Sequence, residues 1–136
     1  MGLDGLPRPI HIEDGEKVIQ FDRTTEWVKK NLVNNFQVLY DGDDYKETHT
    51  GLHEYEFIES RVYDIKKEVI FRSDGEFCMC NLVDGCKAII ESCDGRFEPY
   101  EVHYAETFII PANAGDVVIH PVDDKPIKLI KANVRY

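Results

Sequence analysis

The stretch YAETFIIPANAGDVVIHP, residues 104–121, decides how this chain is read. An apolar run, Thr107 to Ile110, stops at Pro111; Asn113 and Gly115 supply turn chemistry; a second run of β-branched residues, Val117 to Ile119, leads to His120. Proline cannot donate to a sheet ladder and glycine takes positive φ at little cost, so two strands joined by a corner fit this segment and a helix does not. Working outward, the same texture holds from about Gln37 onward. Turn signals recur at DGDD (41–44), SDG (73–75), DG (84–85), CDG (93–95), Pro121 and Pro126, at the spacing of about 8–12 residues that marks short antiparallel strands. The expectation is a mostly β fold, an antiparallel sandwich or barrel.

FCMCNLV (77–83) and TFIIPA (107–112) are apolar on both alternating faces and are expected at the centre of a sheet, whereas IKLIKANV (127–134), with Lys128 and Lys131, reads as a half-exposed strand. Ahead of the strands, residues 1–11 carry two glycines and two prolines and read as an arm or linker. IEDGEKVIQF and DRTTEWVKKNL then show helical spacing, with Asp22 or Thr24 as N-cap and Trp27, Val28 and Leu32 on one side, giving one or two short helices. We take residues 12–136 as a single domain.

The 136 residues carry 16 Lys+Arg against 26 Asp+Glu, a net charge of −10. That balance repels a phosphate backbone or an anionic membrane, so nucleic acid is not an expected partner. No apolar run approaches the roughly 20 residues that span a bilayer, and no basic-then-apolar leader is seen, so the chain reads as cytoplasmic with no membrane partner. Cys78, Cys80, Cys86 and Cys93 follow a C-x-C-x5-C-x6-C pattern without the paired C-x2-C knuckles of a structural zinc site. On a strand Cys78 and Cys80 share a face about 7 Å apart, which suits reduced, buried thiols.

The order of these features resembles the cupin family: a strand ending in Leu82-Val83-Asp84-Gly85, a second hairpin, then a strand running into Ile110-Pro111-Ala112 and a closing strand. The resemblance implies a cupin-type jelly roll. In metal-binding cupins one motif supplies two histidines and a glutamate and a second supplies another histidine. Set over this chain, those positions fall near Arg72 to Asp74, at Cys78 or Met79, and near Asp116, none of which rebuilds the set. His120 lies about four residues late, roughly 13 Å along a strand. The cupin frame is expected without its metal.

The opening GLDGLPRPIH (2–11), followed by a helical segment and this sheet pattern, is similar to the later part of type I phosphomannose isomerases of the short bacterial kind. That resemblance implies a C-terminal cupin half of an enzyme interconverting mannose 6-phosphate and fructose 6-phosphate with zinc. The family's zinc ligands and catalytic arginine lie in its other half, so no catalytic position carries over and no cofactor is expected in this chain. Met1 followed at once by linker-like sequence favours a separately encoded or excised piece whose partner is a catalytic N-terminal half or a second copy. The alternative is a stand-alone cupin that binds a sugar or sugar phosphate.

Candidate binding residues are Arg61, Tyr63 and Arg72, from the run RVYDIKKEVIFR, and His103 beside Tyr104. Arginines pointing into a barrel mouth would hold a phosphate or carboxylate bidentately, while on an exposed strand face they would only discourage edge pairing. Weak metal candidates are His49 and His53, which only a tight turn at Gly51 would unite, and His120, otherwise a strand-end histidine meeting solvent.

Overall fold

A computed structural model describes residues 4–33, 36–50, 56–123 and 125–135. The chain divides into two compact units, residues 1–33 and 34–136. In the first, helix α1 (Ile12–Val18) is followed by α2 (Thr25–Asn31), the two short helices expected. Thr24 caps α2: its hydroxyl accepts from the Trp27 amide at 3.4 Å, satisfying one of the donors a helix start leaves open. The Arg23 guanidinium lies 4.1 Å from the Trp27 ring centroid, and neither helix buries a residue.

The described residues of the second unit form ten strands: β1 (Gln37–Asp41), β2 (Tyr45–His49), β3 (Ile58–Ile65), β4 (Val69–Phe71), β5 (Cys78–Asp84), β6 (Lys87–Ser92), β7 (Tyr100–His103), β8 (Thr107–Ile110), β9 (Val117–Pro121) and β10 (Ile127–Val134). They make two antiparallel sheets, one ordered β1-β2-β3-β10-β5-β8 and the other β4-β9-β6-β7. The antiparallel β-sandwich predicted from the turn spacing is the observed architecture. Its core is made by every second residue of the facing strands: Ile65, Cys80, Leu82 and Leu129 from the large sheet, and Val69, Ile90, Val117 and Ile119 from the small one.

IKLIKANV is the half-exposed strand expected, most of its side chains being partly buried; β10 runs between β3 and β5, its Leu129 fully buried, with Lys128 on the outer face and Lys131 on the inner. TFII, expected centrally, is the edge strand β8, and its Ile109 is 62% exposed. Apolarity on both faces reports burial of side chains; it does not say whether a second neighbouring strand exists. At the β5–β6 turn Gly85 has φ +90°, and a Cβ there would come within 2.5 Å of Ile127 Cγ2, so glycine is required at position 85 both for the turn and for the passage of β10. No helix among the described residues is long and apolar enough to cross a membrane.

Candidate functional site at the inner face of the large sheet

Strand register places chemistry-bearing residues in two rows across the inner face. His49, Arg61, Lys131 and Cys80 are successive partners across β2, β3, β10 and β5, and Glu47, Tyr63, Leu129 and Leu82 form the adjoining row. Because Tyr63, Leu129, Leu82 and Cys80 are buried, the period of two directs Glu47, Arg61 and Lys131 toward the same interior. Glu59 and Asn133, paired across β3 and β10, continue the surface toward the strand ends.

The hydrogen bonds show how these charges are used. Arg61 Nη1 donates to Glu47 Oε1 at 2.6 Å and its Nε donates to Glu59. Tyr63 donates its hydroxyl to the same Glu47 oxygen at 2.9 Å. Arg135 Nε lies 3.6 Å from Glu59 Oε2. Burial works against a charged Arg61, but the bonds to Glu47 and Glu59 overcome it and hold the guanidinium more firmly protonated than usual. Burial, then the neighbouring Glu47 carboxylate, pushes the Tyr63 phenol above its ordinary range. Arg61 and Tyr63 thus lie together, and their donors are directed at carboxylates of the chain itself. Lys131 differs: it makes no ion pair among the described residues, and its Nζ sits 4.9 Å from the Phe71 ring centroid.

Arg72 and His103 do not join the bonds among Glu47, Glu59, Arg61 and Tyr63; they lie at strands β4 and β7 on opposite margins of the small sheet. The exposed Arg72 donates from Nη1 to Asp116 Oδ2 at 2.6 Å, and the Ser73 amide donates to Asp116 Oδ1 at 2.8 Å. The Ser73 amide first, and Arg72 second, hold the Asp116 carboxyl below the usual aspartate range. His103, exposed, has Nε2 3.2 Å from Glu101 and Nδ1 3.4 Å from Glu106. Of the metal candidates, His49 lies in the inner row beside Arg61, His53 falls outside the described residues, and His120 lies on β9 with Nε2 3.6 Å from Glu91.

The positions onto which the cupin resemblance maps metal ligands do converge. Arg72, Asp74 and Cys78 line one recess of about 20 Å³, also bordered by Lys131 and Asn133, and Arg72 pairs with Asp116 beside it. That volume admits about one water molecule. Among the described residues no three His, Cys, Asp or Glu side chains are grouped so as to hold a metal ion. A larger cleft of about 670 Å³ opens between β7 and β8, where consecutive strands enter different sheets. Ile90, Phe97, Phe108 and Ile110 form its apolar wall, with Arg96 and Asn113 among its polar groups. Sequence reasoning did not name Glu59 or Asn133 and did not join Glu47 or Lys131 to Arg61; the period-two alternation of Glu59, Arg61 and Tyr63 was the available signal.

No protein-family model matches the chain, and no curated protein matches it. Solved structures do. The mannose 6-phosphate isomerase of Bacillus subtilis superposes with a TM-score of 0.71 at 16% identity, over 98% of this chain and 37% of that one. The Cnp3 cupin domain of Schizosaccharomyces pombe gives 0.55 at 12% identity, over 74% and 69%. The oxalate decarboxylase of Lactobacillus farciminis, in its formate complex, gives 0.60 at 10%, over 75% and 32%. The chain spans a little over a third of the isomerase's length. These likenesses show the fold alone: the sandwich has the cupin-type architecture.

Proposed function

We propose that the chain is a cupin domain of the kind forming the C-terminal half of type I mannose-6-phosphate isomerases. In this reading it acts in the cytoplasm, packs against or completes a catalytic half, and is inert toward mannose 6-phosphate by itself. The observation that carries the reading is extent. The likeness to the isomerase runs over 98% of the chain, whereas the other two structures match 74% and 75% of it. The chemistry of the inner face agrees with an accessory role. An aldose-ketose isomerase needs a base to move a proton between C1 and C2 and an electrophile to steady the enediolate. The inward-facing Arg61 is already engaged by Glu47 and Glu59. The test is a coupled isomerase assay on mannose 6-phosphate with added zinc, first with the chain alone and then with a separately expressed catalytic half of such an isomerase. Activity that needs both chains supports the proposal; turnover by the chain alone overturns it.

A second reading, a stand-alone cupin that binds a sugar or sugar phosphate, is favoured by the cleft between β7 and β8, whose volume of about 670 Å³ suits a small molecule. Amide shifts at Arg96, Asn113 and Phe108 on titration with mannose 6-phosphate would support it. Unmoved shifts there would sink it.

A further inference from the structure

The geometry points to Cys78 and Cys80 as a two-thiolate site for a soft monovalent metal cation of the Cu(I) type, with Lys131 as its counter-charge. The site does not depend on the isomerase relationship. Both thiols project from β5 into the sandwich, with Sγ atoms 4.0 Å apart. Two metal–sulfur bonds of about 2.3 Å each reach across up to about 4.6 Å, so an ion fits between the sulfurs by small side-chain rotations. A disulfide is less well served, because its sulfurs must close to about 2 Å while residues i and i+2 of a regular strand stay near 7 Å apart at Cα. Thiolates select soft cations, and Cu(I) is satisfied by two of them where Zn(II) requires four ligands. No third ligand need be sought from the surrounding core.

Lys131 separates this pair from ordinary buried cysteines. It stands opposite Cys80 in register on the neighbouring strand, is half-buried, and makes no ion pair among the described residues. A half-buried ammonium beside an aromatic ring retains a desolvation cost that a nearby anion relieves. Binding of the cation breaks two S–H bonds, forms two S–metal bonds and releases two protons to solvent. The metal keeps its single positive charge, so the bis-thiolate unit carries one negative charge, which Lys131 balances. Access runs through the small recess at the mouth, which Cys78 itself lines together with Phe71, Glu76 and Lys131.

The test uses the full chain with the exposed Cys86 and Cys93 replaced by serine, reduced and kept anaerobic, titrated with Cu(I) against a chromophoric chelator. The expected result is one equivalent of Cu(I), two protons released, and X-ray absorption showing two sulfur scatterers at one distance. Cys78→Ser and Cys80→Ser should each weaken uptake at least tenfold, and Lys131→Met should weaken it at unchanged stoichiometry. The X-ray absorption measurement needs no core variant, so it decides the matter even if the serine variants fold poorly. No uptake beyond the chelator, or a bound ion ligated by nitrogen or oxygen, overturns the proposal.

Discussion

Tyr63 donates its hydroxyl to Glu47 across the β2–β3 pair at 2.9 Å, from a residue only 5% exposed. This bond ties the aromatic core, where Tyr63 packs 4.8 Å from Phe71 between ring centroids, to the charged row beside it. Tyr63→Phe keeps the ring and removes the donor. Glu47 retains Arg61, so the expected loss is about 1.5 kcal/mol, at the lower end for a hydrogen bond to a charged group. Urea unfolding at neutral pH measures it; a variant as stable as the parent would mean the bond contributes nothing net.

Arg61 joins two carboxylates, and its removal leaves both in a partly desolvated setting. Arg61→Ala should therefore cost more than Glu47→Gln, by about 1–3 kcal/mol, because neutralising one acid leaves the Arg61–Glu59 pair whereas removing the base leaves Glu47 uncompensated and Glu59 with Arg135 alone. The double variant should recover part of the loss. Strict additivity in this cycle would show that the two side chains do not interact.

The clamp formed by Ser73, Arg72 and Asp116 predicts a pH dependence whose sign is fixed. The Asp116 carboxyl is held below its ordinary value of 3.8 in the folded chain. Its contribution is complete above that value and is lost as pH falls through the lower folded-state pKa. The stability difference between the parent and Asp116→Asn should thus be constant from neutral pH downward and shrink only as the pH falls below 3.8. A difference that grows on acidification would contradict the clamp.

Gly85→Ala combines an unfavourable φ of +90° with a Cβ placed 2.5 Å from Ile127 Cγ2 and 3.2 Å from the Ile127 Cα. The backbone term alone is about 1–3 kcal/mol, and the backbone of a central strand cannot step aside cheaply. Thermal unfolding should show a larger loss here than for Gly75→Ala, where the added Cβ meets nothing within 4 Å despite a φ of +86°. Equal losses at both glycines would show that the contact with β10 is unimportant.

Much of the sandwich was readable because turn residues and β-branched runs are local signals: Asp84-Gly85, the Thr24 cap and the corner at Pro111 all appear where the sequence placed them. The order of strands was not readable, because pairing is a long-range choice. Nothing local to IKLIKANV says that it enters between β3 and β5, and nothing local to TFII says that its second neighbour is missing. The candidate site suffered from the same gap. Arg61 and Tyr63 could be named from one strand, but Glu47 and Lys131 join them only through register, and Arg72 bonds to Asp116 instead of Glu47 because Phe71, not Arg72, is the inward residue of β4.

The central place of β10 bears on how quickly the chain can fold. Val134 pairs with Ile58 and Lys131 with both Arg61 and Cys80, so the middle of the large sheet closes only when the ends of a long loop meet. Such non-local closure slows folding. Until it occurs, β3 and β5 each present an open ladder, with the core faces of Tyr63 and Leu82 uncovered, and the half-folded chain is open to pairing with other chains in that interval.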